Sequence, residues 1–217
     1  MKRTSLALVW AVAVVVVALL ASIVVWVVAT PGKRKSSAQP APASEAPSST
    51  EPTVTPTEKT CPRRVARSFT PRTISLDGIA GPTPVVTPPR DAAGVPGVPP
   101  LSNAGRTVFA FDREQGIRPG DPRGNVLLNA HTWPDGSALG NRLLEGLGRG
   151  DRIVVRGGRS RLCYRVTERV ETLAEDGLAR YYAKGGRPQL AIVVCSGRRL
   201  APGVWEKRTI WFASPRA

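Results

Sequence analysis

The sequence predicts a mainly β domain, an eight-stranded barrel with short connecting helices, preceded by an N-terminal transmembrane helix and a disordered linker. Three observations lead to this. Short β-rich runs recur between Gly and Pro punctuation from residue 73 to residue 212. An unbroken apolar run stands near the amino terminus, and the stretch between it and the first β run is mostly Pro, Ala, Ser, Thr and Glu.

The chain opens with Lys2 and Arg3, and the apolar run then extends from Leu6 to Ala29. At about 1.5 Å per residue it is long enough to cross a hydrocarbon layer of roughly 30 Å. A cleaved signal peptide is the alternative, since Val27 and Ala29 suit a peptidase, but the run exceeds the usual core of roughly 7 to 15 residues. Lys33, Arg34 and Lys35 on the far side compete with Lys2 and Arg3, so charge counting does not orient the span. Residues 31–62 lack the apolar surface needed to offset ordering entropy and read as an extended linker. Residues 63–217 have the length of one domain with its own core. No internal repeat is seen.

Within that domain the predicted strands are residues 73–76, 83–87, 107–112, 125–130, 152–156, 161–170, 189–194 and 209–212. Eight short strands of this kind suggest a closed or nearly closed barrel. Two helices are expected in the connections. One covers 139–147, with Leu139, Leu143, Leu144 and Leu147 on one face and Gly148 as its stop, and the other covers 171–182.

The net charge is +15, with arginines scattered rather than gathered in one motif. Such a balance suggests nucleic acid first, but no nucleic-acid module is recognisable and a membrane anchor would keep the domain from DNA. Attraction to an anionic membrane surface or to wall polymers fits better, beside the plain reading of a solvated, arginine-rich surface.

The residues that carry chemistry are few. His131 is the only histidine and follows an apolar stretch in Asn129-Ala130-His131-Thr132-Trp133. Cys195 ends the apolar run Leu190-Ala191-Ile192-Val193-Val194, and Arg208 leads into another, Ile210-Trp211-Phe212. Alone, each has an ordinary reading: a small buried hydrophobe, a structural imidazole, one arginine among many. Together, at the ends or starts of predicted strands, thiol, imidazole and guanidinium are the parts of cysteine acyl transfer with a cationic oxyanion partner. Trp133 could line a groove or pack. Asp112, Asp135, Glu171 and Asp176 make no calcium loop of recognisable spacing and read as solvated charges.

In order, Pro119-Gly120, Gly124-Asn125, His131, Leu144, Leu147, Gly150-Asp151, Cys195 and the tail Gly203-Val204-Trp205-Glu206-Lys207-Arg208 resemble a sortase, the membrane-anchored cysteine transpeptidase family of Gram-positive bacteria. The Pro- and Gly-rich lead over residues 71–100 is similar to the actinobacterial class E and F members. The resemblance implies a sortase-type eight-stranded barrel in which residues 167–188 form one wall of the substrate groove. It implies catalytic roles for Cys195, His131 and Arg208, and cleavage of an LPXTG-like sorting signal between Thr and Gly. The acyl group would pass to an amine of a peptidoglycan precursor or a pilin. The implied partners are sorting-signal-bearing surface proteins and the membrane, through the span from Leu6 to Ala29, with no nucleic acid. No cofactor or metal is implied, and the catalytic domain is expected outside the cell. The chain departs from the family's Thr-Leu-x-Thr-Cys at Ala191 and Val194, and Ala130 stands where glycine usually precedes the histidine. The L,D-transpeptidases also use Cys, His and Arg, but Val193-Val194-Cys195 lacks their Ser/Thr-His-Gly-Cys motif. The remaining alternative is a catalytically degenerate, anchored basic barrel that binds anionic wall polymer.

The other two cysteines, Cys61 and Cys163, leave two readings open. Outside the cell they would pair, because Cys195 must stay free; otherwise Cys163 packs in a strand and Cys61 is a loose thiol.

Overall fold

The structure is a computed structural model that describes residues 61–216. The expected membrane span, and the linker up to residue 60, lie outside the described residues. Eight strands form one closed barrel: β1 (Thr73–Leu76), β2 (Ala80–Val86), β3 (Phe109–Phe111), β4 (Asn125–Ala130), β5 (Arg152–Gly157), β6 (Ser160–Leu173), β7 (Gln189–Ala201) and β8 (Val204–Pro215). Their order around the barrel is β1-β2-β3-β4-β7-β8-β6-β5. The β2–β3 and β4–β7 pairs are parallel and the others antiparallel. A parallel pair needs a long crossover, and β4–β7 has one that holds α1 (Leu139–Gly146), β5 and β6.

Alternation along the strands sets two apolar layers. Val126 and Leu128 of β4, Leu190, Ile192 and Val194 of β7, and Trp211 and Ala213 of β8 point into the barrel. Their odd-and-even counterparts Leu127, Ala191, Ile210 and Phe212 lie on the outer face, covered by Tyr181. Trp211 is wholly buried and donates its indole N–H to the Leu147 carbonyl at 2.8 Å. The helix α1 has eight residues, too few to persist alone, and is held by burial of Leu139, Leu143 and the adjacent Leu147. Truncating a buried Trp or Leu of this kind costs about 2 to 5 kcal/mol.

The expected helix over 171–182 does not form. Glu171, Thr172 and Leu173 continue β6 and pair with Thr209, Arg208 and Lys207 of β8. The β-branched Val170 and Thr172 favour the ladder, and Gly177 at φ 59° turns the chain back, its carbonyl accepting from Thr172 Oγ1 at 3.1 Å. Only a short 3₁₀ turn, Ala179–Tyr182, follows. β7 and β8 also run further than expected. They continue past the barrel rim as an exposed ribbon with register shifts between Ser196 and Ala201, where no buried face imposes alternation.

Cys61 and Cys163 are joined in a disulfide, their Cα atoms 5.8 Å apart. The Cys163 amide donates to the Pro62 carbonyl at 2.9 Å, so Cys61 and Pro62 pack with the barrel, just ahead of the expected boundary at residue 63.

Candidate active site

The strands β4, β7 and β8 are neighbours, and their register decides the site. Ala130 pairs with Val194 and Cys195 pairs with Arg208. One step beyond Ala130 brings His131 level with Cys195. Leu127, Ala191 and Phe212 already fix which alternate residues face outward, so His131, Cys195 and Arg208 stand in a row on that outer face, at strand spacings of about 4.8 Å. All three line one cleft of about 350 Å³. Cys195 is not at a strand end, as expected from the apolar run, but within β7, with Arg208 directly across the ladder.

Each of the three is held by neighbours. Thr132 Oγ1 donates to the Cys195 carbonyl at 2.7 Å and ties the end of β4 to the backbone that carries the thiol. The Gly140 amide donates to the His131 carbonyl at 2.7 Å, an approach so close that a Cβ at residue 140 would stand 2.4 Å from that oxygen. Asn141 Oδ1 accepts from the Trp133 amide, so the first turns of α1 clamp the segment that carries the histidine. Arg208 Nη1 donates to the carbonyls of Lys207 at 3.0 Å and Trp205 at 3.3 Å.

The imidazole has a further partner. His131 Nε2 lies 2.6 Å from the Pro99 carbonyl, and since a carbonyl can only accept, Nε2 is the donor in this contact. Pro99 belongs to a strap, residues 88–101, laid across the mouth of the site. Arg90 anchors it through a two-pronged contact to the buried Asp112, and Asn129 Nδ2 donates to Gly97 at 2.9 Å. Val95, Pro96 and Val98 of the strap form one side of the cleft, and Leu178, Tyr181 and Tyr182 form the facing wall. The expectation that residues 167–188 contribute a wall is met in this geometry.

Burial pushes the Cys195 thiol above its ordinary pKa, while the Arg208 guanidinium pulls it in the opposite direction. The resting group is therefore the thiol. Its surroundings suit an uncharged, extended segment: apolar walls with one thiol, one imidazole and one guanidinium converging on the floor.

Trp133 does not line this cleft; its ring packs 4.3 Å from the Arg106 guanidinium. Asp112, expected as a solvated charge, is buried and ion-paired with Arg90. Asp135, Glu171 and Asp176 are exposed. Among the described residues no group of His, Cys, Asp or Glu is arranged to hold a metal. Sequence reasoning missed Thr132 and the strap. A Pro- and Gly-rich stretch has no periodicity to place it, so only the density of prolines marked residues 88–101 as a built segment.

No protein-family model and no curated protein sequence matches the chain. Solved structures do. A pilus-related sortase C of Group B Streptococcus superposes with a TM-score of 0.51 at 13% identity, covering 71% of this chain and 70% of that one. Sortase C1 from Streptococcus suis matches with a TM-score of 0.51 at 14% identity, over 69% of this chain and 74% of that one. Sortase C1 from Streptococcus agalactiae matches at 0.50 and 16% identity, over 67% and 66%. The fold is that of the sortase barrel.

Proposed function

We propose that the protein is a membrane-anchored cysteine transpeptidase, a sortase, in which Cys195 is the nucleophile, His131 the general acid and base, and Arg208 the oxyanion partner. The observation that carries this reading is the row of His131, Cys195 and Arg208 across β4, β7 and β8 on the floor of one cleft. The substrate is an LPXTG-like sorting signal on a surface protein. His131 takes the thiol proton as Cys195 Sγ attacks the threonyl carbonyl carbon, and the developing oxyanion is met by the guanidinium of Arg208. The Thr–Gly bond breaks, the glycine amine leaves with a proton from His131, and a thioester remains. An amine of a peptidoglycan precursor or pilin then attacks the thioester, His131 takes its proton and passes it to the departing sulfur, and the thiol is restored with a new amide bond.

The Pro- and Gly-rich lead supports placement with the actinobacterial class E and F members, and the apolar run of residues 6–29 followed by the proline-rich linker supports a single-pass protein with its barrel on the outer side. The decisive experiment incubates the full chain with a fluorophore-labelled Leu-Pro-x-Thr-Gly peptide and an amine acceptor. Cleavage between Thr and Gly with transfer to the amine is expected, lost in Cys195→Ala while the circular dichroism spectrum is retained. Equal turnover by a folded Cys195→Ala protein sinks the assignment. A normal, slowly alkylated thiol with no turnover of any such peptide would instead mark a degenerate barrel.

A further inference from the structure

At the end of the barrel opposite Cys195, where β4 and β7 begin and β8 ends, a second cleft of about 700 Å³ opens. Arg63, Arg64, Arg118, Arg187 and Arg216 line it, and all five are exposed. Its one carboxylate, Asp121, is engaged by the backbone: Oδ2 accepts from the Arg118 amide at 2.6 Å and closes its own turn. Some arginines elsewhere on the barrel have acidic partners, as in Arg90–Asp112, Arg152–Asp77, Arg180–Glu168 and Arg198–Glu206. None of the five in this cleft makes an ion pair with a described residue. What sets the cleft apart is that five guanidinium groups share one concavity with a single carboxylate that is already engaged.

The cleft is built rather than accidental. Its wall is fixed where the Phe69 amide donates to the Pro119 carbonyl at 3.0 Å and where Gly120, at φ 99°, passes so close to Val65 that a Cβ would stand 2.5 Å from its methyl group. The Cys61–Cys163 disulfide pins the start of the segment that carries Arg63 and Arg64. On the other side of that segment a groove of about 630 Å³ also carries the guanidinium groups of Arg156 and Arg159.

We propose that this basic cleft binds a linear polyanion of repeated phosphate groups, at a site separate from the catalytic one. Guanidinium is planar, permanently charged and matched to phosphate oxygens in pairs. Five uncompensated charges call for an occupant with several anionic groups in series, not a single ion. A single-stranded nucleic acid would look for open aromatic faces to stack on, and the cleft's one aromatic ring, Tyr164, is buried. A flat bilayer face would meet only the rim of a concave site. Bound in this way, the polymer holds the barrel by its back and leaves the cleft of Cys195 open at the other end. The inference stands whether or not Cys195 is catalytic.

The test uses the full chain in neutral detergent micelles, with long-chain inorganic polyphosphate as probe, across a salt series. Binding is expected to weaken as salt rises, and orthophosphate at equal total phosphate should not compete. Arg187→Gln/Arg216→Gln should weaken binding about tenfold or more at ~0.1 M salt and make the salt slope shallower by roughly two. The control Arg149→Gln/Arg199→Gln removes the same charge from exposed positions that line neither groove and should change little. Equal losses in the two double variants would reduce the effect to net charge and overturn the site. No binding by the parent, stronger binding of a single-stranded oligonucleotide of equal charge, or displacement of polyphosphate by micelles doped with phosphatidylglycerol at equal phosphate would each overturn the proposed occupant.

Discussion

Replacing Arg208 separates two effects that its position combines. The residue lies across the ladder from Cys195, half-buried, with its guanidinium held by the carbonyls of Lys207 and Trp205. Loss of one oxyanion donor typically costs about 10²- to 10³-fold in kcat. The same guanidinium also opposes the burial that raises the Cys195 pKa. In Arg208→Gln both are lost: peptide cleavage falls by about 10²-fold or more, and the thiol pKa rises further, so iodoacetamide labelling at neutral pH slows and its profile moves to higher pH. In Arg208→Lys the charge stays but the planar fork does not, so labelling remains near the parent while kcat/KM still falls by about 10²-fold. Global stability should change by only about 1 kcal/mol, because the side chain's hydrogen bonds go to carbonyls of its own strand. Measuring alkylation against pH beside peptide turnover checks both arms. Turnover by Arg208→Gln within about threefold of the parent, with an unmoved labelling profile, would refute the reasoning.

Opening the Cys61–Cys163 bridge by Cys61→Ala releases a loop whose ends are 102 residues apart, and the chain-entropy estimate for such a loop is about 4 to 5 kcal/mol, read as a lower denaturant midpoint; an unchanged midpoint would refute it. Titration of denatured, unreduced protein should find one thiol, Cys195, and three would refute the bridge. Thr132→Val removes the hydrogen bond to the Cys195 carbonyl, which should cost about 1 to 3 kcal/mol and lower kcat with little change in KM; parent-like stability and kcat together would show that the contact is idle. Protease added to intact protoplasts should release the barrel, and protection until lysis would reverse the proposed topology.

The barrel was legible because each of its strands buries residues, and burial writes alternation or apolar runs into sequence. β4 was read to the residue, as Asn125–Ala130, because all six of its positions are buried. The ribbon formed by the far ends of β7 and β8 was not legible, since Gly197, Arg198, Arg199 and Leu200 are exposed and carry no pattern. Residues 171–182 misled for a different reason. Leu173, Ala174, Leu178, Tyr181 and Tyr182 are spaced as a helical face would be, but they serve a strand end, a turn at Gly177 and the cover over the outer face of β4 and β7. His131, Cys195 and Arg208, which the barrel brings to one cleft, were picked out by kind and order. Their helpers, Thr132 and the Pro99 carbonyl, act through atoms that almost any sequence could supply, so nothing in the residue pattern marked them.

The register also explains why the replacements at Ala191 and Val194 leave the arrangement intact. Both positions lie on β7, but Val194 points inward against Ile192 and Ala130 in the core, and Ala191 packs with Leu127 and Phe212 two rungs from the site. Neither side chain sets where Cys195 stands. That position follows from the parallel pairing of β4 with β7, through Asn125↔Gln189 to Ala130↔Val194, and from the antiparallel pairing that puts Arg208 opposite the thiol. A one-residue slip in either ladder would turn Cys195 or its partner to the other face of the sheet, and the buried rows on both faces make such a slip costly. The chemistry is therefore specified by the barrel's hydrophobic pattern as much as by the three reactive residues. A core substitution that loosens the register of β7, such as Ile192→Ala, should lower turnover by more than its loss of stability alone would account for, whereas Val194→Thr, which keeps the shape, should leave the row in place.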